Sequence, residues 1–161
     1  MELRVPRPSH LVSSSLVLAR HPLTMSSGVN VSDDCINSYQ DLMKRKHKYV
    51  VYGLNPQFTE IVVLKTSQDP DYEAFLKEFP NDQCRWAVYD LEYDVEDGGK
   101  RNKVMFVYWS PGQSSIKQRM VYSASNNALK GRLGIALEIQ GNDEGDLEFA
   151  NVLEKAKRNS R

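Results

Sequence analysis

The stretch KRNKVMFVYWSPGQSSIKQRMVYSASNNALKGRLG, Lys100–Gly134, decides the architecture. Within it, Lys103 to Trp109 is apolar on both faces, the pattern of a strand covered on both sides, so the sequence predicts a central strand of a sheet. Ser110-Pro111-Gly112 then breaks the chain. A long helix follows from about Ser114 to Leu133 and stops at Gly134, where the absence of a Cβ permits the left-handed turn that closes helices. A strand buried on both faces needs a layer above and a layer below it.

The flanking sequence supplies those layers. Ser32 with Asp33 and Asp34 marks a helix start, because carboxylates in the first turn complement the helix dipole. Cys35, Ile36, Tyr39, Leu42 and Met43 continue that helix at three- and four-residue spacing, and the basic run Lys44 to Lys48 marks its end. Lys48 to Leu54 and Phe58 to Thr66, rich in Val, Ile and Tyr, form a hairpin about the turn Asn55-Pro56-Gln57. Asp71 to Phe79 has the spacing of a short amphipathic helix stopped by Pro80. Trp86 to Tyr93 is a strand followed by the turn Asp97-Gly98-Gly99, Ile135 to Ile139 is a last strand, and Leu147 to Lys157 is a closing helix. Helices alternating with strands in this way predict an α/β (α+β) domain with a central mixed β-sheet flanked by helices on both faces.

A chain of 161 residues and 18.4 kDa has room for one core. Residues 1–24 differ in character from the rest, with three arginines, one acid and the serine run Ser13 to Ser15. They read as a disordered or artefactual extension ahead of a domain over 25–161. Cys35 and Cys84 are too few for a disulfide scaffold and lack the paired spacing of a zinc site, and no run of 18 apolar residues exists for a transmembrane segment.

Charge sums to zero but is strongly partitioned. Asp69 to Asp97 holds ten acids against Lys77 and Arg85, whereas Lys100 to Arg132 holds seven bases and no acid. The zero sum argues against a nucleic-acid partner held by phosphate contacts, and the basic segment predicts a surface for an anionic or acidic one.

Catalytic constellations are missing. His47 stands alone in a basic run, and no base accompanies a Ser or Cys nucleophile. Cys84 beside Arg85 reads as a packing residue at the head of a strand. Asp90, Glu92 and Asp94 share one side of a strand and read as a solvated acidic edge, since no glycine-containing calcium loop surrounds them. Asp97-Gly98-Gly99-Lys100-Arg101 has neither Walker spacing nor a dinucleotide fingerprint. No cofactor, no metal and no enzymatic activity are expected.

On the long helix, Arg119, Ser123, Asn126 and Lys130 fall on one polar stripe, with Ile116, Met120 and Ala124 beside them. Such a face suits a groove on an acidic protein. Lys117 and Arg132 fall on another side, so either they snorkel or the helix bends near Ser123 to Ser125.

Taken together, MSSGVNVSDD, YVVYGLN with TEIVV, WAVYDLEY, KRNKVMFVYWSPG, IKQRMVYSASNNALK and VLEKAKR resemble the actin-depolymerising factor and cofilin family from Met25 to about Arg158. The resemblance implies the actin-depolymerising-factor homology fold. It also implies binding of actin monomers and filaments, with severing and depolymerisation of the filaments. By resemblance, the surface meeting both monomer and filament falls on Ser27, Gly28, Val29, Lys117, Arg119 and Met120, extended by Lys130 and Arg132, which also face phosphoinositides. The filament-only surface falls on Arg101, Lys103, Glu154, Lys155 and Arg158. Ser27 matches a serine whose phosphorylation switches binding off in many relatives. The same resemblance places a monomer in the cytoplasm on the actin cytoskeleton, and Lys44 to Lys48 match a nuclear-entry signal of some members.

The chain departs from the family pattern at Gly112 to Ser115, which loosens the helix start, at Asn126 and Asn127, and at Gly131, which costs about 1 kcal/mol against alanine. The departures at Asn126, Asn127 and Gly131 motivate an alternative: a non-severing module of the same fold that binds phosphoinositides or actin monomers.

Overall fold

A computed structural model describes residues 28–159, so the expectations for residues 1–24 and for Ser27 lie outside the described residues. In chain order the elements are β1 (Asn30–Val31), α1 (Asp33–Met43), β2 (Tyr49–Leu54), β3 (Glu60–Ser67), α2 (Tyr72–Leu76), β4 (Arg85–Asp94), β5 (Lys100–Trp109), α3 (Ile116–Leu133), β6 (Leu137–Gly141), a 3₁₀ turn (Glu144–Leu147) and α4 (Phe149–Arg158). The six strands form one sheet in the order β1-β3-β2-β4-β5-β6. Pairing is parallel for β1 with β3 and for β5 with β6, and antiparallel elsewhere, so the sheet is mixed as expected.

The strand pleat divides the core in two. Val50, Tyr52, Trp86, Val88 and Phe106 point to one face and pack with Cys35 and Leu42 of α1 and Tyr122, Leu129 and Leu133 of α3. Tyr49, Val51, Ala87, Tyr89, Met105 and Val107 point to the other and pack with Phe75 of α2 and Val152 and Ala156 of α4. Helices therefore cover both faces, and the apolar alternation of two adjacent strands decides which helix goes where.

Several boundaries differ from the sequence reading. β5 is an interior strand, but β2 and β4 hold the middle of the sheet, and β5 begins at Lys100, which pairs in register with Asp94 at the acidic end of β4 and donates to its carboxylate at 3.0 Å. α2 is only Tyr72–Leu76, capped by the Asp71 carboxylate accepting from the Glu73 N–H, and Phe79 enters the core after the helix has ended. The last strand lies two residues later than predicted, because Ile135 leaves the left-handed Gly134 (φ 74°) to pack into the core before pairing begins. A 3₁₀ turn takes in Leu147, the first residue expected in the closing helix: Asp143 and Asp146 cap one another's backbone there, and α4 starts only at Phe149. Ser32 holds the N-cap position, yet its hydroxyl lies 3.4 Å from Cys35 Sγ instead of capping a backbone N–H.

Candidate functional site

Helix α3 organises the basic segment. The Ser115 hydroxyl accepts from the Gln118 N–H at 3.1 Å, and Gly134 closes the other end by donating its N–H to the Lys130 carbonyl. Tyr122, Ser125, Asn126, Leu129 and Leu133 face the sheet. Ile116 and Met120 stand on the outer side, 68% and 65% exposed, and with Tyr108 they border a shallow hollow of about 560 Å³. Among the described residues these two are the most exposed of the large hydrophobic side chains, and they stand one turn apart on the same helix face.

The cations around that ridge are held in different ways. Arg119 donates to the carbonyl oxygens of Gly112 at 2.6 Å and Ser114 at 2.7 Å, so its guanidinium braces the loop whose glycine and serines were expected to loosen the helix start. Lys117 is exposed and places Nζ 5.2 Å from the centroid of the Phe58 ring. Lys130 pairs with Glu138 at 2.8 Å, whereas Arg132 is exposed. Burial pushes the Glu138 carboxyl upward, but hydrogen bonds from Lys130 and Gln140, the Lys130 charge and the Asn126 amide outweigh it and hold the group below the usual carboxylate range.

Two residues expected at the surface, Asn126 and Val29, have buried side chains. Asn126 does not join the polar stripe of Arg119, Ser123 and Lys130; it is 7% exposed, accepts from Trp86 Nε1 at 3.0 Å and donates to Glu138 Oε2 at 3.3 Å. Its inward turn removes Asn126 from the departures that suggested an altered surface, leaving Asn127 and Gly131 exposed. The Val29 side chain is 1% exposed and belongs to the core, while the neighbouring Gly28 is exposed at φ 68°. β1, which follows directly, packs beside α3 and brings Gly28 to the same region.

A second set gathers on the opposite face of the sheet. Arg101 and Lys103 pair with Tyr93 and Leu91, both of which point toward the α4 side. Lys103 Nζ donates to the Asn159 carbonyl at 3.1 Å, tying β5 to the end of α4. Glu154, Lys155 and Arg158 are exposed on that helix, with Glu154 and Arg158 joined at 3.1 Å. One strand and one helix thus collect all five residues of the second set.

The remaining candidates are engaged in contacts within the fold. Cys84 is buried, its Sγ 3.5 Å from Ser114 Oγ, as a packing residue would be. Asp90 is not part of a solvated edge: it is 8% exposed, accepts from Asn102 and lies 3.9 Å from the Arg45 guanidinium, while Asp94 pairs with Lys100 at 3.0 Å. His47 lies 3.9 Å from Asp41. Among the described residues no group of three or more His, Cys, Asp or Glu could hold a metal ion, and no helix is long and apolar enough to cross a membrane. The sequence reading missed Phe58, Trp86 and Glu138; only the basic and polar partners opposite them, far away in sequence, could have signalled their roles.

The chain is similar to known proteins over nearly all of its described residues. A family model described as cofilin/tropomyosin-type actin-binding protein matches residues 28–157. Cofilin of Mycosarcoma maydis is 46% identical over 84% of this chain and 99% of its own, and cofilin of Saccharomyces cerevisiae is 41% identical over 82% and 94%. The crystal structure of Streptomyces griseoflavus cofilin superposes with a TM-score of 0.77 at 48% identity, covering 81% of this chain and 98% of that one.

Proposed function

The chain belongs to the cofilin/tropomyosin-type family of actin-binding proteins, and from that membership we infer that it binds actin and depolymerises actin filaments. The observation that carries the reading to a place on the molecule is the exposed Ile116–Met120 ridge, flanked by Lys117 and Arg119 on α3. An apolar ridge inserts into a cleft and excludes water, while the flanking cations select an acidic rim and speed encounter.

In this reading Ser27, Gly28, Val29, Lys117, Arg119, Met120, Lys130 and Arg132 serve both monomer and filament. Within that set the Met120 side chain is the apolar anchor, and Val29 acts through its backbone and its packing. Arg101, Lys103, Glu154, Lys155 and Arg158 meet a second subunit available only in the filament. One protein wedged between two subunits on opposite faces of its sheet favours whichever filament geometry fits both, and strain at the boundary with bare filament severs it. Filament disassembly is then differential binding with no covalent step, no cofactor and a single copy of the chain acting alone.

Phosphoinositide headgroups compete for the same cations, and phosphorylation of Ser27 opposes binding by setting a charge of about −1.5 to −2 against an acidic partner. The cytoplasmic actin cytoskeleton is the place of action, with Lys44 to Lys48 available for nuclear entry.

Filament sedimentation and light scattering test the function directly. Purified chain at stoichiometric ratio should shift actin from pellet to supernatant and shorten filaments; unchanged filament length would reject it.

A further inference from the structure

The turn between β2 and β3 contains a residue whose backbone is costly and whose side chain is not idle. Phe58 adopts φ 59°, in the left-handed region where a side chain clashes with the following carbonyl at roughly 1–2 kcal/mol per residue. Its N–H donates to the Asn55 carbonyl at 2.9 Å, closing the turn over Pro56 and Gln57, and Phe58 then occupies the left-handed position that such hairpins usually give to glycine.

The rest of the turn is firmly built. Asn55 Oδ1 accepts from the backbone N–H groups of Thr59 at 2.8 Å and Glu60 at 3.1 Å, and its Nδ2 donates to Thr59 Oγ1 at 2.9 Å. The Leu54 N–H donates to the Tyr122 hydroxyl at 2.9 Å, which locks the hairpin to α3. A Cβ at Gly53 would lie 2.6 Å from Leu64 Cδ1 and 3.2 Å from the same hydroxyl, so the glycine leaves room for both side chains. The outcome of this bracing is the placement of the Phe58 ring 5.2 Å from Lys117 Nζ, in the first turn of α3.

We propose that Phe58 is a positioning residue for partner binding: its ring, held out by the left-handed turn, fixes the Lys117 ammonium beside the Ile116–Met120 ridge. This rests on the proposed actin-binding reading of α3. A lysine on a four-carbon stem loses substantial side-chain freedom when it docks, and a ring that holds it beforehand removes part of that cost from the binding step. A left-handed phenylalanine persists where its surroundings over-determine it, and such residues gather at functional sites.

The test combines a double-mutant cycle with a readout on the free protein. F58L retains bulk but removes the aromatic face, F58Y retains the ring, and each is made with Lys117 and with K117A. With Lys117 present, F58L should weaken actin-monomer binding about two- to five-fold, the size of an exposed cation–π contact, and F58Y should not. In the K117A background F58L should have no further effect. In the free protein, NMR should find the Lys117 ε-methylene protons shifted upfield by the ring and restored to ordinary values in F58L. Equal losses from F58L in both backgrounds, or Lys117 protons unmoved by F58L, would overturn the proposal. Absence of monomer binding by the unmutated chain would instead reject the actin reading, with the proton shifts still deciding whether Phe58 holds Lys117.

Discussion

Trp86 on β4 donates its indole N–H to Asn126 on α3 at 3.0 Å, inside a core where the indole is fully buried. Asn126 hands the polarity outward by donating to Glu138, which pairs with Lys130 near the C-terminal end of α3. A tryptophan at the centre of the sheet is therefore linked through two side chains to a surface cation. The link sits on the face of α3 that also buries Tyr122, Leu129 and Leu133, opposite the side on which Met120 is exposed.

Replacing Asn126 by alanine would leave the Trp86 N–H buried and unpaired. The cost expected for such a group is about 1–3 kcal/mol, on the order of a tenth or more of a small domain's stability. Urea unfolding of N126A should show the midpoint falling with an unchanged slope.

The ridge makes the opposite prediction. Ile116 and Met120 are mostly in water, so I116D and M120D should alter stability by no more than about 0.5 kcal/mol, a typical surface effect. M120D should nonetheless weaken monomer binding by tenfold or more, about 1.4 kcal/mol or greater. Thermal melts alongside a monomer titration separate the two effects.

The two sheet faces should be separable by charge. K117E should weaken both monomer and filament binding, whereas R101E with K103E should leave monomer binding intact and weaken filament binding by roughly tenfold, about 1.4 kcal/mol. Parallel titrations of monomer and co-sedimentation with filaments provide the comparison.

Glu138 contributes a pH dependence whose sign is fixed. Its carboxyl is held below the ordinary value of 4.5, so the folded chain binds its proton less readily than the unfolded chain. The stabilisation is complete above the unfolded value and is lost as pH falls through the folded one. Unfolding free energy measured from pH 7 downward should therefore decline less steeply below about pH 4.5 in E138Q than in the parent, the unfolded carboxyl titrating near that value.

The legible parts of the sequence were those where one local signal suffices. Lys103 to Trp109 could only be a strand covered on both sides, Gly134 could end the long helix through its left-handed conformation, and Asp97-Gly98-Gly99 could only be a turn. Apolar spacing likewise identified α1 and the last helix, because burial of one face leaves a period in the sequence. Where two local signals competed the boundaries slipped: the hydrophobic spacing of Tyr72 to Phe79 suggested one helix, although Phe79 reaches the core from outside it.

The site divides along the same line. Composition alone located the acid-free stretch from Lys100 to Arg132, and resemblance named the residues within it. Which of those residues reach solvent was not a local property. Asn126 was placed on the polar stripe by helical spacing, and it went inward because Trp86, forty residues earlier, presents a donor that burial obliges some acceptor to meet. Lys130 is engaged because Glu138 returns beside it on β6, and Lys117 is steadied because the β2–β3 turn carries Phe58 to it. The sequence by itself determined the elements, their faces and the sign of the surface, since each follows from neighbours a few residues apart. Only the tertiary structure decided which charges are held and which are offered, because hydrogen bonding and ion pairing act over about 3 Å of space, a distance that sequence separation does not encode.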